Sequence, residues 1–145
     1  MDKIDWCLEQ KKGIELVEPN DNLCEAYFKD ANDSLSGIEN VKGMWRTVMA
    51  YYSCYFSFYA LLMKVGIKCE IHDCTLKLMK MIKEFSDEDY DYLVSLKVKR
   101  IDVQYYLKKK VLEDLSEVKN FVLKCDQIRK EFDLNELRGK IKDAK

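Results

Sequence analysis

Apolar residues recur along this chain at spacings of three and four, the pattern of amphipathic helices. After Pro19, the run Asn20-Asp21-Asn22 offers Asn20 or Asp21 as the cap of a first turn. Cys24, Tyr27 or Phe28, Ala31, Leu35 and Ile38 then share one face, which predicts a helix over roughly residues 21–36, ending near Gly37. A second helix is predicted from about Val41 to Val65. Val41, Trp45, Val48, Tyr52, Tyr55, Tyr59 and Leu62 form one stripe on it, and Met49, Phe56 and Met63 a second. Two stripes imply more than one packing neighbour, and Gly66 stops the helix.

A third helix is predicted to begin near His72 or Asp73, with Ile71, Cys74, Leu78, Met81 or Ile82, and Phe85 inward. Ser86-Asp87-Glu88-Asp89 is a capping signal for a fourth, whose core positions are Tyr90, Leu93 or Val94, Leu96 and Val98. Arg100 to Lys110 follows neither period and is predicted as an irregular joint or a loosely helical stretch. From Val111 the helical spacing returns through Leu115, Val118, Val122, Cys125 and Ile128 to Phe132. Asp133 is then placed to cap a short helix carrying Leu134, Leu137 and Ile141. Residues 1–19 read as an acidic docking segment, a short helix followed by an extended piece, with Trp6, Leu8, Ile14, Leu16 and Val17 as its apolar side chains.

The expected fold class is therefore all-α: an up-and-down antiparallel four-helix bundle with an extra short terminal helix. One domain spans 1–145, with a docking segment at 1–19, the bundle at 20–132 and a short C-terminal helix or tail at 133–145. Five Gly and one Pro cannot supply the turns of a sandwich or barrel. The longest uncharged stretch, Thr47 to Met63, carries Thr47, Ser53, Ser57 and four tyrosines, so a buried central helix is expected there and no membrane span.

Charge adds an asymmetry that the net value of −1 hides. Residues 1–39 hold 4 basic and 10 acidic side chains, whereas residues 40–145 hold 21 and 16. The sharpest basic block is Lys97, Lys99, Arg100, Lys108, Lys109 and Lys110 against Asp102 alone. Such a block attracts phosphate, or it is a solvated helix end. The first residues are acidic and lack an apolar run, so no secretory leader is expected. The six cysteines contain no Cys-x-x-Cys and are expected as free, buried thiols in a reducing cytoplasm. Cys69, His72 and Cys74 could be drawn as three zinc ligands without a fourth, so no metal is expected, and no cofactor.

Candidate chemistry is sparse. There is no phosphate-binding glycine loop and no nucleophile elbow. One histidine cannot furnish paired Glu-x-x-His motifs for a di-iron bundle. The aromatic run Trp45 to Tyr59 is expected chiefly as core packing. Arg100-Ile101-Asp102-Val103-Gln104-Tyr105-Tyr106 has two readings. In one, an Arg–Asp pair locks a turn. In the other, Arg100 grips a phosphate as a fork and a tyrosine stacks or donates.

Four fragments, taken in order, resemble one known family. They are Asp5-Trp6-Cys7-Leu8-Glu9-Gln10-Lys11-Lys12-Gly13-Ile14 with Glu18-Pro19-Asn20, the tyrosine-rich Ala50 to Met63, Gly66 to Cys74, and Arg100 to Tyr106. Together they resemble an archaeal branch of the HEPN (higher eukaryotes and prokaryotes nucleotide-binding) domain proteins over about residues 5–130. The resemblance implies a helical bundle, a homodimer, and a small nucleotidyltransferase as partner in a toxin–antitoxin-like pair. Many such domains are metal-independent RNases whose catalytic arginine is followed, after four to six residues, by histidine. Arg100 matches that arginine, but the permitted positions hold Tyr105, Tyr106 and Leu107. The sequence therefore leads to a cytoplasmic HEPN-type protein that binds a nucleotide or RNA and lacks the usual RNase motif. Its expected ligand-binding residues are Arg100, Asp102, Tyr105, Tyr106, Lys99 and Lys108, with Lys64 and Lys68 on a basic rim. The alternatives are an RNase toxin using Arg100 with His72 or Tyr105, and an adaptor bundle with no ligand.

Overall fold

Local capping sets several of the element boundaries in the computed structural model, which describes residues 3–108 and 114–145. Helix α1 spans Lys3–Glu9 and is followed by a two-residue strand, β1, at Glu15–Leu16. The Asn20 side chain accepts from the Leu23 N–H at 2.9 Å and starts α2, Asp21–Gly37. A single 3₁₀ turn at Ile38–Asn40 leads into α3, Met44–Val65. Gly66 ends α3 in the left-handed conformation, φ 77°, and its N–H caps the last turn. Strand β2, Ile67–Lys68, pairs antiparallel with β1 in the register Glu15–Lys68 and Leu16–Ile67.

The short helix α4, His72–Met79, gives way to tight turns and then to α5, Asp87–Tyr105. Ser86 and Asp89 form a reciprocal capping box at the start of α5, as the sequence signal predicts. Helix α6 covers Ser116–Glu131, and α7 covers Asn135–Ala144, where the Asp133 carboxylate accepts from the Asn135 N–H. The described chain is thus mostly α-helical, with one small sheet.

Helix α3 is the centre: it packs against α2, α5 and α6. Fifteen of its residues are buried, so it is enclosed on nearly every side. Its two internal serines satisfy their hydroxyls locally, Ser53 on the Met49 carbonyl and Ser57 on the Cys54 carbonyl, each at 2.8 Å. Around it lie Ile38, Leu76, Leu78, Leu93, Leu96, Val118 and Ile141, all essentially without solvent contact. No helix among the described residues is long and apolar enough to cross a membrane.

Several sequence expectations need correction. Of the two readings of the stretch from Arg100, the helical one holds as far as Tyr105 and the irregular joint does not: α5 continues because Leu96, Arg100 and Val103 keep one face buried. The helical period from Val111 begins outside the described residues, and α6 starts only at Ser116. The third helix stops at Met79, although Ile82 and Phe85 still pack inward from turns. Trp45 belongs to the predicted stripe yet is 54% exposed.

The cysteines differ most. Cys7 and Cys74 are joined by a disulfide that ties α1 to α4 across 67 residues of sequence. Cys24, Cys54, Cys69 and Cys125 remain free and buried. Helical spacing carries no information on such a pairing, since it brings together faces of two elements far apart in the chain.

Candidate functional site

Arg100 is the chain's unusual residue. It sits on the inner face of α5, only 9% exposed, against the N-terminal third of α3. Its guanidinium carbon lies 4.9 Å from the centre of the Tyr51 ring and 5.6 Å from that of Tyr52, in cation–π geometry. Its hydrogen bonds are weak for a buried cation. Nη1 donates to the Tyr52 hydroxyl at 3.4 Å and to Gln104 Oε1 at 3.5 Å, both at the outer limit. Nε is buried without a partner. Among the described residues, no carboxylate forms an ion pair with Arg100.

The sole histidine is part of the same cluster. His72 opens α4, and its Nδ1 shares a 2.7 Å hydrogen bond with the Tyr51 hydroxyl. Its ring stacks on Tyr55, with centroids 4.2 Å apart. Tyr55 is itself fixed by donating to the Thr75 hydroxyl at 3.1 Å. Burial, and then the positive charges of Arg100 and Lys97, push the His72 imidazole down to about 4, with Asp73 opposing in part. The ring is therefore neutral at neutral pH. Burial likewise pushes the Tyr51 and Tyr55 phenols well above their usual range, so both stay protonated. The neutral imidazole carries one N–H and one bare nitrogen, so it brings both a donor and an acceptor to the cluster.

A second unpaired atom lies close by along α3. Thr47, 1% exposed, has a buried hydroxyl with no partner, and it stands one turn before Tyr51 on the same helix face. Thr47, Tyr51, Tyr55 and Tyr59 place a hydroxyl at every fourth residue along one face of α3. Tyr59 uses its hydroxyl to accept the Cys69 N–H at 3.0 Å, and burial pushes its phenol up to about 12.

The remaining predicted residues are spread over the end of α5. Asp102 pairs with Lys108 at 3.9 Å, and its carbonyl accepts from the Tyr106 and Lys108 N–H groups. Tyr105 and Tyr106 are 65% and 68% exposed, beyond the last buried turn. Lys99 is half-buried. Lys97 is engaged by Asp73. Lys109 and Lys110 lie outside the described residues. Lys64 is at the far end of α3, bonded to the Arg129 carbonyl, and is not part of the cluster; Lys68 is on β2.

Sequence reading thus identified Arg100 and His72 separately, and the fold joins them through Tyr51. It read Tyr51 and Tyr52 as core packing, set Gln104 within the Arg100 motif without a role, and gave Thr47 none. The four-residue repeat of hydroxyls on α3 is the signal that points to three of the tyrosines and the threonine. Cys74, drawn with Cys69 and His72 as a metal trio, is occupied by its disulfide.

Chemically, the cluster offers a fixed cation with spare donors, a neutral imidazole and a buried hydroxyl, beside a partly basic helix end. No family model, no curated protein and no solved structure matches this chain.

Proposed function

We propose that this chain is a HEPN-type helical protein that binds a phosphate-bearing ligand, a nucleotide or RNA, at Arg100. The reading extends to a homodimer acting with a small nucleotidyltransferase in a toxin–antitoxin-like pair, in the cytoplasm. One observation carries the binding site: a buried arginine whose Nε is unpaired and which no described carboxylate neutralises. A buried guanidinium left this open is costly unless an anion completes its fork. The amide of Gln104, bonded to Arg100, adds donors beside it, and Lys99 and Lys108 add field. Tyr105 and Tyr106, exposed beside them, offer faces for a base.

Binding is favoured over cleavage because of the state of His72. An imidazole pushed to about 4 is a weak base at neutral pH. The RNase reading keeps one observation in its favour, the Tyr51 bridge between Arg100 and His72.

The test is calorimetric titration of the purified protein with AMP and with a short single-stranded RNA. Arg100→Ala, with helicity checked by circular dichroism, should abolish binding, and Arg100→Lys should weaken it. Affinity for RNA should fall steeply with added salt. Undiminished binding by a folded Arg100→Ala variant overturns the site. Metal-free RNA cleavage that is lost in both Arg100→Ala and His72→Gln would replace the binding reading with the RNase one. A monomer by light scattering at micromolar concentration overturns the dimer.

A further inference from the structure

The disulfide joins two short helices, and one of them carries His72. Cys74 is two residues beyond His72 in α4, which has only eight residues. Cys7 lies in the seven-residue α1, too short to hold a helix by itself. Besides the packing of Ile4 and Leu8 on the core, α1 is retained by its contact with α4, the bond between the Ile14 N–H and the Cys7 carbonyl, and the tie from the Glu70 N–H to the Lys12 carbonyl. Both bonded cysteines are fully enclosed, while Trp6 next to Cys7 is 42% exposed. The bond therefore joins a short helix with a partly exposed face to the helix that presents His72 to Tyr51.

We propose that Cys7 and Cys74 form a thiol–disulfide exchange site for a small-molecule disulfide such as oxidised glutathione, and that closing it locks His72 against Tyr51 beside Arg100. The exchange proceeds when α1 detaches. The Cys7 thiolate attacks one sulfur of the small disulfide, forming a mixed disulfide and releasing one small thiol. The Cys74 thiolate then attacks the Cys7 sulfur and releases the second. The two protons lost by the protein thiols end on the two small thiols, so one small disulfide is consumed per bond formed. In the open form, α4 loses its covalent anchor and His72 its fixed place. The consequence for ligand affinity rests on the phosphate-binding reading of Arg100; the exchange and the movement of His72 do not.

The test uses the full chain, carrying Trp45→Phe so that Trp6 is the only tryptophan. It is poised in glutathione buffers of increasing reducing strength and read three ways. The single histidine gives one set of imidazole proton resonances, Trp6 reports α1 by its emission, and AMP titration reports the anion site. Reduction is expected to shift the imidazole resonances and to redden Trp6 emission while circular dichroism loses no more than the few helical residues of α1. It is also expected to weaken AMP binding several-fold. Cys7→Ser should show the reduced behaviour in every buffer. Identical imidazole and Trp6 signals in both states overturn the proposal. So does reduction that unfolds the whole chain, or a folded protein that glutathione does not interconvert. If the imidazole moves but AMP binds neither state, the exchange site stands and the phosphate reading falls. If AMP binds both states equally and the imidazole is unmoved, the reverse holds.

Discussion

His72 makes the stability of this fold depend on pH in a window that can be stated in advance. Burial, with help from Arg100 and Lys97, lowers its folded value from 6.5 to about 4. Between those values the unfolded chain takes up a proton that the folded chain refuses. The associated stability is fully present above 6.5 and is lost as pH falls toward 4. At about pH 5 the full shift corresponds to about 2 kcal/mol, and solvent access to the half-buried ring reduces this to about 1 kcal/mol. The comparison protein is His72→Gln, whose amide can still bond Tyr51 but does not titrate. Urea unfolding of both proteins at about pH 7.5 and about pH 5 should show the wild-type midpoint falling by roughly 0.5 M more than that of the variant. The carboxylates that lose support in acid, among them Asp89 and Asp126, are common to both and cancel. Equal losses in the two proteins, or an imidazole NMR titration centred near 6.5, would refute the reasoning.

Three further outcomes follow from packing. Gly66→Ala places a Cβ 2.2 Å from the Val17 carbonyl oxygen at φ 77°; it should cost about 3 kcal/mol, read as a melting temperature lower by roughly 10 °C. Ser86→Ala removes half of the capping box and should cost about 1 kcal/mol in chemical denaturation, with unchanged ligand binding. Phe58→Ala opens a cavity in the middle of α3, against Phe85, and should cost about 3–5 kcal/mol by the same measurement.

Periodicity and caps carried the local structure. The Asn20 and Ser86 caps, the Gly66 stop and the inward residues of α2 and α6 all lie where three-and-four spacing puts them. The end of α5 was not legible, because exposed Val98, Tyr105 and Tyr106 mix with buried Arg100 and Val103 and blur the apolar face. The candidate site was half legible. Arg100 is conspicuous as the only arginine of the basic block, but its partners come from α3 and α4, and no spacing rule connects residues 28 and 48 positions apart. Buried tyrosines were read as packing, which they are. That the same rings also hold a cation and an imidazole requires the tertiary contact. The disulfide is illegible for the same reason, since it depends on which faces of α1 and α4 meet.

The guanidinium of Arg138 gives the fold an order of assembly. One of its nitrogens donates to the carbonyls of Val17, Val65 and Gly66 at 2.7, 3.0 and 2.8 Å. Those three carbonyls mark where the first strand, the end of α3 and the left-handed turn converge, and the donor comes from α7, 121 residues after Val17. A chain emerging from synthesis can form α2 and α3 early from neighbouring contacts. The junction around Val17 and Gly66 is completed only by a donor that lies 121 residues after Val17. Closure of so long a loop is slow relative to helix formation, so docking of α7 onto the Val17–Gly66 junction is expected to be a late step in folding, and loss of α7 to leave that junction without its donor on an otherwise helical core.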